Sequence, residues 1–102
     1  NVIQANLLCL LTTNKKAVNT VYNIAFGEPN TLNDLMSYLK EYLSDFDSQV
    51  IDVNVIYGPN RPGDIPHSHA SIVKAKKQLN YNPQFSLQDG LKESVNWYWK
   101  HL

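Results

Sequence analysis

An amphipathic segment over residues 32–46 constrains the fold of this chain most strongly. Thr31 precedes the segment and Asp34 follows three positions on, so we predict a capping box at its start. A helix with one apolar face needs a second layer of structure to cover that face. The apolar positions recur at the three- and four-residue spacing typical of such a helix, and they are Leu32, Leu35, Met36, Leu39, Tyr42, Leu43 and Phe46.

Two segments flanking this helix have the composition of strands. Residues 21–26 (VYNIAF) are rich in β-branched and aromatic residues and are followed by Gly27 and Pro29. Apolar and polar residues alternate over residues 50–57, as in a half-buried strand. Because two strands alone make a marginal sheet, we expect a third short strand near residues 66–70, or a sheet completed by another chain.

Three further helices are predicted. Residues 1–13 are apolar on nearly all sides, which is typical of a helix buried against more than one neighbour. Ser71 is the expected cap of a second helix, with Ile72, Ala75 and Leu79 facing inward. Ser86 begins the last predicted helix. Its inner stripe, the side expected to face the core, consists of Leu87, Leu91, Val95, Tyr98 and Leu102. Within this helix, Gly90 predicts close packing, since glycine costs about 1 kcal/mol relative to alanine in a helix.

The predicted fold class is therefore α/β (α+β), a small two- or three-stranded sheet with about four to five helices. A length of 102 residues allows a single domain. The chain lacks an initiator methionine and opens inside a predicted helix, so we expect it to be a piece of a longer protein.

Composition argues against several classes of partner. Nine Lys and Arg balance nine acids, so the chain has no basic excess for nucleic acid or an anionic membrane. The apolar opening is too short to span a bilayer and carries no signal-peptide cations. Cys9 is the single cysteine, which excludes an intrachain disulfide and predicts a cytoplasmic location.

A loop over residues 57–69 (YGPNRPGDIPHSH) is the candidate site. It contains Arg61, the only arginine of the chain. Pro62 favours an extended Arg61, and Gly63 permits a tight turn or a close approach to a ligand. An arginine donates paired hydrogen bonds to phosphate oxygens, and Asp64 is suited to accept from ribose hydroxyls. These residues suit a nucleotide diphosphate, and an Arg61–Asp64 ion pair that braces a turn is an equal alternative.

Other chemistries find no support in the sequence. None of the six tyrosines is followed four positions on by a lysine, so a catalytic Tyr-x-x-x-Lys pair is absent. The four glycines are scattered, whereas a dinucleotide site needs them clustered before a helix. Ser68 lies between His67 and His69, but adjacent strand residues point to opposite faces. His67 and His69 lack a third metal ligand nearby. We therefore assign no catalytic, cofactor-binding or metal-binding residue.

Several motifs, in the same order, resemble the C-terminal half of extended short-chain dehydrogenase/reductase enzymes that act on sugar nucleotides. Residues 21–35 are similar to a strand–turn–helix of that family. Residues 61–68 are similar to its arginine–aspartate motif, and residues 72–83 to the following helix. Residues 86–91 and 97–98 are similar to its closing helix. The His-Ser pair after the arginine–aspartate motif most resembles the UDP-N-acetylglucosamine 4-epimerase branch.

The resemblance implies roles for four residues. Arg61 would hold the UDP diphosphate and Asp64 the uridine ribose, with His67 and Ser68 near the diphosphate or the sugar. Residues 1–102 would form one substrate-binding domain, the C-terminal lobe without its Rossmann core, and residues 1–13 would come from the interdomain region. In the full-length family NAD stays bound, and a tyrosine of the N-terminal half takes a proton from the sugar C4 hydroxyl. The chain alone is therefore expected neither to catalyse nor to bind NAD.

The expected function is the UDP-sugar-binding portion of an NAD-dependent nucleotide-sugar 4-epimerase, an isomerase of nucleotide-sugar metabolism and polysaccharide biosynthesis. Its substrates would be of the UDP-GlcNAc/UDP-GalNAc or UDP-Glc/UDP-Gal type. A dehydratase or decarboxylase of the same family, and a non-catalytic interaction module with a structural Arg61–Asp64 turn, are the alternatives. Expected partners are a UDP-sugar, the missing N-terminal Rossmann domain and a second copy bound through the helix at residues 1–13.

Overall fold

The computed structural model describes residues 1–63 and 69–102, and these residues form four α-helices and one 3-10 helix. In chain order they are α1 (Val2–Leu11), α2 (Leu32–Ser44), the 3-10 helix (Ser48–Asp52), α3 (Val73–Leu79) and α4 (Leu87–His101). No helix in the described part of the chain is long and apolar enough to cross a bilayer.

The described residues group into two compact units. The first unit consists of Asn1–Pro29 and His69–Ser86, and therefore contains α1 and α3. The second consists of the described part of Asn30–Ser68 together with Leu87–Leu102, and contains α2, the 3-10 helix and α4.

The predicted sheet is absent from residues 1–63 and 69–102, so the α/β (α+β) prediction is wrong and the described fold is helical. Residues 21–26 pair with no other strand there. Residues 50–52 belong to the 3-10 helix, which begins where the Asp47 side chain accepts a hydrogen bond from the Gln49 amide at 3.0 Å. A strand needs a neighbouring backbone, which alternation of residue types does not supply. Residues 66–68 of the third predicted strand lie outside the described residues.

The helix predictions succeed for α2 and need correction elsewhere. The Thr31 side chain accepts from the Asp34 amide at 3.1 Å, and the Asp34 carboxylate accepts from the Thr31 amide at 2.8 Å, which confirms the capping box. For α3 the N-cap is Ile72, without a side-chain cap bond, so the predicted Ser71 cap is wrong. No described atom lies within 4 Å of a Cβ built on Gly90, so its predicted close packing is wrong and the structure gives no reason for this glycine.

The first unit is built around one small core. Its buried members are Ala5, Ala17, Ile72, Ala75, Leu79 and Tyr81, and they include the predicted inner face of α3. Two tyrosine hydroxyls bind backbone carbonyls at its edge. The Tyr81 hydroxyl donates to the Ala25 carbonyl at 2.9 Å, and the Tyr22 hydroxyl donates to the Ala17 carbonyl at 2.9 Å. These bonds fix residues 17–25 against the core.

In the second unit α2 packs against α4 and the 3-10 helix. Val95 is buried, whereas Leu102, at the end of the predicted inner stripe of α4, is 100% exposed. The rings of Phe46 and Trp99 stack with centroids 5.3 Å apart. Lys40 Nζ donates to the Ile51 carbonyl at 3.1 Å, which ties α2 to the 3-10 helix.

The neighbours expected to cover the apolar sides of α1 do not lie among the described residues. Ala5 is the buried residue of this helix. Its N-terminal end is anchored by Asn1, whose Nδ2 donates to the Phe85 carbonyl at 2.6 Å and whose Oδ1 accepts from the Gln84 amide at 2.9 Å. The outward residues Ile3, Leu7, Leu10 and Leu11 are between 52% and 79% exposed.

Candidate functional site

Arg61, in the candidate anion-binding loop, belongs to the second unit. Arg61 is exposed, and Pro62 and Gly63 form a turn directly after it. Gly63 has φ +89°, a left-handed conformation that strains any residue carrying a Cβ. No described atom lies within 4 Å of a Cβ built on Gly58 or Gly63. The predicted turn at Gly63 is confirmed.

The start of this loop is tied to the first turn of α2. The Tyr57 hydroxyl donates to Asn33 Oδ1 at 3.1 Å. The adjacent helix N-terminus is already occupied by a carboxylate, because Asp34 accepts from the amide and hydroxyl of Thr31. Those bonds hold the pKa of Asp34 below its ordinary value of 3.8. Asp34 is therefore held in its ionised form at the first turn of α2, beside the start of the loop.

Of the four predicted site residues, the structure places Arg61 alone. Asp64, His67 and Ser68 lie outside the described residues, so their roles stay predictions. Within residues 1–63 and 69–102, no group of three His, Cys, Asp or Glu side chains is arranged to hold a metal ion.

An open cavity of about 470 Å³ lies in the first unit, and sequence reasoning did not find it. Gly27 forms part of its wall with φ +98°, and a Cβ there would lie 2.9 Å from Ile72 Cδ1. His69 Nε2 lies 3.2 Å from the Gly27 carbonyl oxygen across the cavity wall. The polar lining is completed by Glu28, Ser71, Lys76 and Asn82. The one sequence feature that could have indicated this cavity is Gly27, but in the sequence it indicates only the end of a predicted strand.

Tyr81 is buried in the core of the first unit, and Tyr22 is partly buried against it. Burial raises the pKa of both Tyr22 and Tyr81 above the ordinary value of 10.0. The Tyr22 hydroxyl oxygen lies 2.8 Å from Gln78 Oε1 and 2.9 Å from the Ala17 carbonyl oxygen, so its single proton is shared between these two acceptors. The hydroxyls of both tyrosines therefore bind backbone carbonyls at the edge of the core.

Comparison with known proteins gives three informative matches, although no family model matches the chain. UDP-glucuronate 4-epimerase 4 of Arabidopsis thaliana is 37% identical over 78 residues, which is 76% of this chain and 17% of that enzyme. Protein CapI of Staphylococcus aureus is 26% identical over 78 residues, which is 22% of its length. The structure of UDP-glucose 4-epimerase from Thermotoga maritima, solved with UDP-glucose, has 35% identity and a TM-score of 0.80 over 98% of this chain and 29% of that chain.

The chain is similar to the C-terminal part of NAD-dependent sugar-nucleotide epimerases of the extended short-chain dehydrogenase/reductase family. The predicted resemblance to this family is confirmed. The relatives are UDP-glucuronate and UDP-glucose 4-epimerases, so the similarity does not single out the UDP-N-acetylglucosamine branch. The chain spans 17% of the length of the Arabidopsis epimerase and 29% of the Thermotoga epimerase. An epimerase of this family thus contains far more chain than is described here.

Proposed function

We propose that this chain is the UDP-sugar-binding, C-terminal portion of an NAD-dependent nucleotide-sugar 4-epimerase. The observation that carries the proposal is the fold match at a TM-score of 0.80, over 98% of this chain, to an epimerase solved with UDP-glucose. The substrate would be a UDP-hexose of the UDP-glucose or UDP-glucuronate type, since these sugars appear in the names of the relatives.

In this proposal Arg61 binds the diphosphate. Its guanidinium is the only one in the chain, and it lies on an exposed residue that is followed by a tight left-handed turn. A planar guanidinium donates two parallel hydrogen bonds to phosphate oxygens, which fixes the orientation of the ligand as well as its affinity. Asp64 would accept from the uridine ribose, and His67 and Ser68 would lie near the diphosphate or the sugar.

The chain would supply binding without the chemical step. Its four glycines, Gly27, Gly58, Gly63 and Gly90, are too dispersed to form the turn that a dinucleotide requires, so these residues do not fit NAD. The sequence also contains no Tyr-x-x-x-Lys pair. Both features would have to come from the part of the family fold that this chain does not span.

The test is a titration of UDP into the chain and into its Arg61→Ala variant. Changes in amide chemical shifts measure the affinity of each. Loss of a charge-assisted hydrogen bond costs about 1.5–3 kcal/mol, so we expect UDP affinity to fall roughly 10- to 100-fold. Arg61→Lys should recover only part of it, because an ammonium cannot donate the paired bonds. Lys92→Ala in α4 removes the same charge from another exposed residue and is the matched control.

Two outcomes would contradict the assignment. Equal UDP affinities of the Arg61→Ala and Lys92→Ala variants would show that charge alone, and not this guanidinium, attracts the nucleotide. A loss of stability in Arg61→Ala without any change in UDP binding would favour the structural Arg61–Asp64 turn instead.

Self-association through α1 is the second part of the proposal. The residues Ile3, Leu7, Leu10 and Leu11 follow an i, i+4, i+7, i+8 spacing, which places them along one side of the helix. This side is exposed, and α1 contains no Asp, Glu, Lys or Arg that would resist burial. Two such helices would therefore bury apolar surface at no cost in charge desolvation.

A further inference from the structure

We propose that the hydrogen bond between Tyr57 and Asn33 positions the guanidinium of Arg61 for the diphosphate of a UDP-sugar. Tyr57 and Asn33 are then positioning residues, which act through Arg61 and do not touch the ligand. This inference rests on the proposed function, in which Arg61 binds the diphosphate.

The segment that leads to Arg61 has little backbone structure of its own. Residues 54–61 belong to no helix or strand. Their amides donate to no backbone carbonyl among the residues that the structure describes. Only Val55 of them is partly buried, and the rest are exposed. Neither backbone pairing nor extensive burial therefore holds this segment, and a side-chain contact has the larger part in fixing its position.

Tyr57 makes such a contact. Its hydroxyl donates to Asn33 Oδ1 at 3.1 Å and joins residues 24 positions apart. Asn33 belongs to the first turn of α2, between the two residues of the capping box, Thr31 and Asp34. The hydrogen bonds of the capping box fix the backbone of this turn. Tyr57 is thus tied to a rigid point of the second unit.

The chain from Tyr57 to Arg61 is short and stiff. It spans at most about 14 Å, since four extended residues cover no more. Pro59 and Pro62 have fixed φ angles, and each restricts the residue before it. Gly58, which has the freest backbone, lies between the bonded Tyr57 and Pro59. A bond that fixes Tyr57 therefore also limits where the Arg61 side chain can lie.

The strength of one hydrogen bond limits the expected effect. The net contribution of such a bond changes an equilibrium by about 2- to 12-fold. When the bond is lost, the fraction of chains with a correctly placed Arg61 falls by at most this factor, and the apparent UDP affinity falls with it. This loss is smaller than the roughly 10- to 100-fold loss expected when the guanidinium itself is removed.

Backbone ¹⁵N relaxation of the chain without ligand is the first test. Tyr57→Phe removes the donor and keeps the ring, and Asn33→Ala removes the acceptor from a helix that favours alanine. In both variants we expect the order parameters of the Arg61 and Gly63 amides to fall toward the value of about 0.6 that marks a flexible backbone. Tyr98→Phe removes a hydroxyl from another exposed ring of the second unit and should leave them unchanged.

Titration of UDP into the same variants is the second test. Tyr57→Phe and Asn33→Ala should each lower the UDP affinity by about 2- to 12-fold. The double variant should lose no more than either single variant, because both changes break the same bond. In a chain that carries Arg61→Ala, Tyr57→Phe should have no further effect, because the bond acts through the guanidinium.

The outcomes separate this inference from the proposed function. Unchanged order parameters, or unchanged UDP affinity of Tyr57→Phe and Asn33→Ala where Arg61→Ala lowers it, would overturn the inference and leave the proposed function intact. A loss of affinity in only one of the two variants would mean that this residue contacts the nucleotide itself, which also overturns the inference. A wild-type chain that does not bind UDP would contradict the proposed function, and the bond would then only brace the loop.

Discussion

At the scale of single residues, side-chain hydrogen bonds hold a backbone segment that pairs with no strand among the residues that the structure describes. The carbonyls of Ala17, Val21 and Ala25 accept from Tyr22, Lys74 and Tyr81 respectively. A buried carbonyl that loses its donor keeps its desolvation cost and gains nothing in return. The Tyr22 and Tyr81 hydroxyls, whose bonds are partly buried, therefore matter to the stability of the first unit, whereas the bond from Lys74 to the 83% exposed Val21 should contribute less.

Tyr81→Phe should lower the free energy of unfolding by about 1 kcal/mol. The ring stays in the core while the Ala25 carbonyl loses its bond from the hydroxyl. Urea denaturation followed by circular dichroism measures the effect. Tyr98→Phe, at a side chain that is 55% exposed, is the control and should change stability little. If Tyr81→Phe and Tyr98→Phe lose the same free energy of unfolding, the Tyr81 hydroxyl contributes no more to stability than an exposed hydroxyl does.

The Thr31–Asp34 capping box should make stability sensitive to acid. The pKa of Asp34 is lower in the folded chain than its ordinary value of 3.8. The ionised carboxylate therefore stabilises the fold above about pH 4, and this contribution is lost as the pH falls through the depressed folded pKa. We expect Asp34→Asn to lower the melting temperature at pH 7, with the difference from the wild-type chain disappearing near pH 2.

Melting temperatures measured from pH 2 to pH 7 test this dependence on acid. Glu93→Gln removes an exposed carboxylate from α4 and serves as the control. If the melting temperatures of Asp34→Asn and Glu93→Gln depend on pH in the same way, the capping box contributes no more to the acid dependence than an exposed carboxylate does.

At the scale of elements, the sequence predicted helix caps and helix faces correctly, but it did not predict contacts between residues far apart in the chain. The capping box and the inner face of α3 involve residues within one or two turns, so the sequence contains everything that determines them. The strand prediction for residues 21–26 needed a partner that alternation does not specify, and the described residues provide none. The contact of His69 with Gly27 joins residues 42 positions apart, so spacing gave no indication of that cavity wall.

Val95 is the element-scale test of the second unit. It is the buried residue of α4, which packs on α2. Val95→Ala should lower the free energy of unfolding by about 2 kcal/mol, through lost transfer energy and the cavity left behind. Val53→Ala, at a side chain that is 55% exposed in the same unit, should cost much less. A similar cost for both variants, measured in urea, would show that α4 is not held by this contact.

At the scale of the whole molecule, the chain leaves much apolar surface exposed for its small core. Seven hydrophobic side chains are buried among the described residues, whereas Ile3, Leu10 and Ile56 are among those more than three-quarters exposed. The chain also spans only 17% of the Arabidopsis relative and 29% of the Thermotoga one. Composition and motif order predicted the family from sequence, because these are properties of the chain itself. The exposure of each apolar side chain became visible only in three dimensions.

The exposed stripe of α1 predicts concentration-dependent association of the isolated chain. A helix of 10 residues offers less area than the total of about 1,200 Å² that a stable interface buries, so the association should be weak. Leu10→Glu places a charge in the stripe at a side chain that is 79% exposed, so the folded monomer should be unaffected while association is lost. Ile56→Glu, at a side chain that is 93% exposed in the second unit, is the matched control and should still associate. Sedimentation velocity over a range of concentrations distinguishes them, and a wild-type chain that stays monomeric throughout would contradict the role given to α1.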